Sequence, residues 1–257
     1  MLSGKGVLVT RPAHQAGNFS KQLEGEGAIP ILFPTTKIVA DPVGKTQLLH
    51  SLTNLKQYDW IIFTSQNAVT FFWEQCEKSG LSSDHFKTKK IAAIGPATKQ
   101  KLNDLGLTVN AMPDIYIGEE IVKSLGELRN QHILLPRAEG ARTALVDELI
   151  KAGAIVNQVQ LYKSVTNSPE PETWQNLEKE VHFVTFTSVS TVEGFFELLK
   201  DRALPYLQQR FVACIGPITA DSLAVHGINT QIIAKSHTTQ GLVEAMKAFL
   251  ANTKLNG

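Results

Sequence analysis

Short apolar runs alternate with amphipathic stretches along almost the whole chain. GVLVT (6–10), WIIFT (60–64), KIAAIG (90–95), HILLP (132–136), VHFVTFT (181–187) and RFVACIG (210–216) carry apolar side chains at consecutive positions. A strand of that kind buries both faces, as in a parallel sheet covered by helices on each side. Helical spacing follows each run: Leu23 stands four residues after Phe19, and Leu145 and Leu149 repeat the step. Repeated βα alternation predicts an α/β fold with parallel sheets.

The pattern is written twice. IGPAT (94–98) returns as IGPIT (215–219), and IIFTSQNAVTFF (61–72) as VTFTSVSTVEGFF (184–196). The offsets agree: 186 − 63 = 123 for the Phe-Thr-Ser units, 216 − 95 = 121 for the Gly-Pro turns and 227 − 106 = 121 for the glycines closing the next helices. A second unit, VLVTRPAHQAGNFSKQLEGEGAIPI (7–31), matches ILLPRAEGARTALVDELIKAGAIVN (133–157). This period exceeds the roughly 20–50 residues of solenoid repeats, so two similar lobes are predicted.

A cut near residue 128 would pass through LGELRNQHILLP, a helix entering a strand across an ordinary short connection. FPTTKIVADP (33–42) and VQLYKSVTNSP (159–169) read better as connections, since both lack helical spacing and end in proline. The expectation is a discontinuous first lobe, 1–36 plus 168–257, with a second lobe, 43–160, inserted in it. Each lobe is a parallel sheet flanked by helices, joined by two extended linker strands at 37–42 and 161–167.

Composition narrows the field. The chain is 43% hydrophobic and 19% charged, with a net charge of +1 and no basic stripe, so nucleic-acid binding is not expected. No run approaches 18 apolar residues, and MLSGKGVLVT enters a strand without the apolar core of a signal peptide. Cys76 and Cys214 suit a reducing compartment, with Cys214 a small core residue. A cytoplasmic monomer is the expectation.

The turns carry the chemistry. The runs end in Thr-Arg-Pro (10–12), Thr-Ser (64–65), Gly-Pro (95–96), Pro-Arg (136–137), Thr-Ser (187–188) and Gly-Pro (216–217). Serine and threonine suit N-caps and proline the first helical position, so capping alone accounts for each of them. Taken together, however, they set helix N-termini at the carboxyl ends of parallel strands, where α/β proteins bind ligands and free amides hold anions. Thr10, Arg11, Thr64, Ser65, Gly95, Thr98, Arg137, Thr187, Ser188, Gly216 and Thr219 are the candidates. Arg11 and Arg137 occupy equivalent positions of the repeat and suit either a charge-assisted bond or a surface role. No Walker sequence, G-x-G-x-x-G, C-x-x-C, H-E-x-x-H or G-x-S-x-G is present, so neither metal, nucleotide nor acyl-enzyme chemistry is indicated. No cofactor is expected. The alternative to an enzyme is a non-catalytic two-lobed protein that binds or senses a small anion.

The doubled Phe-Thr-Ser…Ile-Gly-Pro…Thr set, with Thr-Arg-Pro near the start and VQLYKS (159–164) after the midpoint, resembles the uroporphyrinogen-III synthase family over essentially the whole chain. One position departs: Val189 stands where the family often has proline. The resemblance implies a cofactor-independent lyase of porphyrin and haem biosynthesis. Its substrate would be the linear tetrapyrrole hydroxymethylbilane, cyclised with loss of water and inversion of the last ring through a spiro-pyrrolenine. It implies Tyr162 as general acid, a position that also suits an aromatic packing at a linker. Backbone amides and hydroxyls at the turns would meet the substrate's carboxylates, which explains how so neutral a chain could bind a polyanion.

Overall fold

The computed structural model describes residues 2–115 and 118–255. In chain order it begins with β1 (Gly6–Val9), α1 (Ala13–Gly25), β2 (Ile29–Leu32) and β3 (Thr36–Ala40). Next come α2 (Pro42–Thr53), β4 (Trp60–Phe63), α3 (Gln66–Lys78), β5 (Lys90–Ala93), α4 (Pro96–Asp104), β6 (His132–Ala138), α5 (Ala144–Lys151) and β7 (Ile155–Thr166). The chain closes with α6 (Pro171–Trp174), β8 (Phe183–Phe186), α7 (Val189–Leu199), α8 (Ala203–Gln208), β9 (Phe211–Cys214), α9 (Pro217–Val225), β10 (Ile232–Ile233) and α10 (Thr239–Leu255). It divides into two compact units, 1–38 with 164–257, and 39–163. The cut points fall inside the extended strands β3 and β7.

The first unit is built on a five-stranded sheet of order β10-β9-β8-β1-β2, parallel throughout. Its apolar runs work as the pattern predicts. Val7, Val9 and Phe183 face one layer, holding Phe19 and Leu23 of α1 and Leu242, Val243 and Met246 of α10. Leu8, Val184 and Phe186 face the other, holding Val192 and Phe195 of α7, Leu207 of α8 and Leu223 of α9. Complete burial of such side chains is worth about 1.5–3 kcal/mol each, and the one polar residue buried in β8, Thr185, is accommodated because its hydroxyl donates to the Leu8 carbonyl at 2.8 Å.

The second unit has sheet order β3-β7-β6-β4-β5, with β5, β4, β6 and β7 parallel. Trp60, Ile62, Ile133 and Leu135 pack on Leu145, Val146 and Leu149 of α5. On the other face Phe63 meets Phe72 of α3 edge to face, with ring centroids 5.1 Å apart. The α/β class and the two parallel sheets flanked by helices are as the periodicity predicts.

One expectation is corrected here. Pro136 and Arg137 do not form a turn equivalent to Thr10–Pro12, because β6 continues through both to Ala138. Its pairing with the long β7 carries it on, with Pro136 opposite Val159 and Arg137 opposite Gln160. Proline is tolerated there because β6 pairs with β4 only at Ile133 and Leu134, leaving the later residues at a one-sided ladder.

Candidate active site

In each sheet the parallel strands bring their carboxyl ends to one edge, and the candidate residues gather there. In the first unit Thr10 and Arg11 follow β1, Thr187 and Ser188 follow β8, and Gly216 and Thr219 open α9. Ser188 caps α7, its Oγ accepting from the Thr191 amide at 3.3 Å. Thr10 caps nothing. It is wholly buried and donates to the Thr185 carbonyl at 2.7 Å, so its hydroxyl ties β1 to β8. Arg11 donates to Gln15 Oε1 at 3.2 Å, while its Nε is buried without a partner. Burial lowers the guanidinium's pKa, and among the described residues no carboxylate pairs with it. Arg11 is half-buried, and a partly desolvated cation without a counter-ion carries a cost that an arriving anion relieves.

The two Gly-Pro turns share a sequence but not a backbone. Gly95 has φ +93°, a region open in practice only to glycine. Gly216 is extended at φ 179°, a conformation open to any residue, and a Cβ there would lie 3.0 Å from Cδ2 of the exposed His237. Thr98 and Thr219, in the first turns of α4 and α9, are both buried.

The second unit assembles the most elaborate arrangement. Ser65 caps α3, accepting from the Ala68 amide at 3.1 Å, and its Oγ lies 2.7 Å from the hydroxyl of Tyr162. The ring of Phe71 stacks on that of Tyr162, with centroids 5.2 Å apart and planes 14° from parallel. Thr64 precedes the cap, half-buried. Arg137, buried, donates to Gln158 Oε1 at 3.0 Å and to the Arg142 carbonyl, and has no carboxylate partner among the described residues. Burial pushes the Tyr162 phenol above the usual tyrosine range, while the Ser65 hydrogen bond and the Arg137 charge pull the other way. The phenol therefore holds its proton at neutral pH, as a proton donor must.

Strand β7 reaches this geometry through a bulge. Its register runs from Arg137↔Gln160 to Ala138↔Tyr162, skipping Leu161. Consequently Leu161 and Tyr162 are both buried, where strict alternation would expose one of them. The bulge is clamped from two sides. The Asp41 amide donates to the Leu161 carbonyl at 2.9 Å, and the Glu139 amide to the Tyr162 carbonyl at 2.8 Å. Gly44, in the first turn of α2, presses so closely that a Cβ would fall 1.6 Å from the Gln160 carbonyl oxygen.

Sequence reasoning passed over Phe71, Gln158, Gly44 and His237. Phe71 had a signal: of the Phe-Phe pair, Phe72 faces the core, which leaves its neighbour on the side of the helix that meets Tyr162. The other three act through contacts distant in sequence and leave no local trace. Among the described residues no cluster of three His, Cys, Asp or Glu could hold a metal ion, and no helix is long and apolar enough to cross a membrane.

The chain is thus a two-unit α/β protein with hydroxyls, glycine turns and guanidiniums lacking carboxylate partners at the carboxyl edges of its parallel sheets. Comparison with known proteins narrows that class. The family model for uroporphyrinogen-III synthase HemD matches residues 17–244. The chain is 29% identical to the uroporphyrinogen-III synthase of Synechococcus elongatus over 260 residues, covering 98% of each protein. It is 28% identical to the porphyrin biosynthesis protein HemD of Ruminiclostridium josui, where 95% of this chain spans about half (48%) of that longer protein. The crystal structure of the Helicobacter pylori uroporphyrinogen-III synthetase superposes with a TM-score of 0.62 over 96% of this chain and 99% of that one, at 18% identity. The chain belongs to the uroporphyrinogen-III synthase family, a family of cyclising lyases in porphyrin biosynthesis.

Proposed function

We propose that this chain cyclises hydroxymethylbilane to uroporphyrinogen III, with Tyr162 as the general acid. The observation that carries the residue assignment is Tyr162 itself. Its protonated phenol is fixed by the Ser65 cap, the Phe71 ring and a clamped bulge, at the edge where parallel strands present ligand-binding turns. In the reaction the phenol proton passes to the departing hydroxyl as the C–O bond breaks, and water leaves. The pyrrole nitrogen's electron pair forms the azafulvenium, and the last ring attacks it through its substituted carbon. Opening of the spiro intermediate and closure in the inverted sense follow, and the ring proton lost at the end restores the phenol. Most of the catalysis is orientation, since the substrate ionises readily. Well-oriented intramolecular reactions gain several kcal/mol of barrier, with a factor of about 10²–10⁴ more from a placed acid.

The substrate's carboxylates are held by the turns of each unit. Arg11 and Arg137 supply the charge, Ser188, Thr64, Thr98, Thr187 and Thr219 the neighbouring hydroxyls, and the amides at Gly95 and Gly216 complete the set. Thr10 contributes through its place in the sheet, its hydroxyl being engaged. The protein acts as a cytoplasmic monomer and needs no metal or organic cofactor. Incubation with a large molar excess of hydroxymethylbilane tests the reading against simple binding. An enzyme consumes the substrate over many turnovers, whereas a sensor retains it stoichiometrically and unchanged.

A further inference from the structure

We propose that Ser65 is a positioning residue that donates its hydroxyl proton to Tyr162 Oη, turning the phenol proton outward to the substrate and holding the tyrosinate left after transfer. The proposal rests on the reading of Tyr162 as the acid. Oγ of Ser65 meets two groups: the Ala68 amide, which can only donate, at 3.1 Å, and the Tyr162 hydroxyl at 2.7 Å. With the amide taking an acceptor site on Oγ, the serine proton is free to point at Oη. A phenol that accepts this bond keeps its own proton for another acceptor.

The surroundings fix the pair. Phe71 restrains the phenol ring from one face, and the bulge at Leu161 sets the depth of the side chain. The field of Arg137 favours the tyrosinate, and its guanidinium is anchored to Gln158. Lys45, Glu74 and Lys78 are the charged residues lining the cavity beside Phe71 and Leu161. When Tyr162 gives up its proton, the Ser65 bond becomes a charge-assisted one, shorter and about twice as strong. Ser65 therefore works on the transition state more than on the ground state, and its removal lowers kcat more than it raises KM.

The cap and the proton donor can be separated. Ser65→Ala removes both functions. Ser65→Asp keeps an excellent cap, but its carboxylate has no proton to give and repels a tyrosinate. Ser65→Thr keeps both. The readout is the Tyr162 ionisation midpoint, followed by fluorine NMR on full-length protein carrying 3-fluorotyrosine. The chain has four tyrosines, and the Tyr162 signal is assigned by its loss in Tyr162→Phe. The expected order of midpoints is Ser65→Asp above Ser65→Ala above wild type, with Ser65→Thr back at the wild-type value. Turnover of Ser65→Asp should fall roughly tenfold or more, in line with the loss of part of an acid's contribution. A midpoint unmoved in Ser65→Ala and Ser65→Asp, or undiminished kcat in Ser65→Asp, overturns the proposal. The titration needs no substrate, so its outcome is independent of whether Tyr162 is the acid, which the Tyr162→Phe turnover decides.

Discussion

At the scale of single residues, what matters is which polar groups the fold leaves unanswered. Most of the conspicuous hydroxyls are answered: Thr10 in the sheet, Ser65 and Ser188 in caps. Arg11 and Arg137 have no carboxylate partner among the described residues, and the Tyr162 hydroxyl shares a 2.7 Å hydrogen bond with Ser65 Oγ. Tyr162→Phe removes one oxygen and leaves the stacking on Phe71, so turnover should fall by about 10²-fold or more with thermal stability nearly unchanged. Steady-state kinetics and a melting curve on the same preparation check both halves. The thiols give a second test at this scale. Burial, helped by the Glu77 charge, pushes Cys76 up to about 12, and burial pushes Cys214 to about 12 against a Thr230 hydrogen bond. From about pH 8.5, where a free thiol ionises, the unfolded chain releases these protons while the folded one keeps them. Stability should therefore decline as pH rises from there toward 12. Denaturant midpoints across that window should fall more steeply in wild type than in a Cys76→Ala, Cys214→Ala double variant. Equal slopes would show that the thiols are not the source.

At the scale of elements, the doubled turns were legible because capping chemistry is local: a serine three residues before a helical amide, or a proline after a glycine, announces itself in any sequence. The strands were legible because burial on both faces demands unbroken apolar runs. Arg137 was misplaced for the opposite reason. Nothing near Pro136 tells that β6 continues, since its continuation depends on a partner strand some twenty residues later. The bulge that aims Tyr162 was invisible too, being a two-against-one count between strands. Its clamp is testable at Gly44. Gly44→Ala forces a methyl against the Gln160 carbonyl, an overpacking worth about 1–3 kcal/mol or more. We expect a lowered melting temperature together with a changed Tyr162 environment, seen as altered near-ultraviolet circular dichroism. A variant with wild-type stability and spectrum would show that α2 does not set the bulge.

At the scale of the whole molecule, the duplication explains why equivalent turns appear twice with different chemistry around them. One copy carries the tyrosine, the bulge and the stacking ring, and the other has an apolar residue, Val189, opening α7. The two compact units divide within β3 and β7, and we propose that the inserted unit is an independent folding domain. It holds its own sheet order and its own core. Residues 39–163 expressed alone should unfold in one sharp transition in urea, whereas 1–128, which lacks β6, β7 and every strand of the first sheet after β2, should not. A sharp transition for 1–128 and none for 39–163 would refute the nested arrangement.

The same molecule-wide view gives the most direct test of function. Unaided closure of hydroxymethylbilane retains the order of the rings, and only an agent that holds the chain for attack through the substituted carbon inverts the last one. The measurement is the isomer ratio of the uroporphyrinogen formed when chelator-treated protein meets hydroxymethylbilane, read by chromatography after oxidation to the porphyrin. The type III isomer should dominate, at a rate proportional to protein concentration. Type I alone, at the rate of the protein-free control, would contradict the assignment.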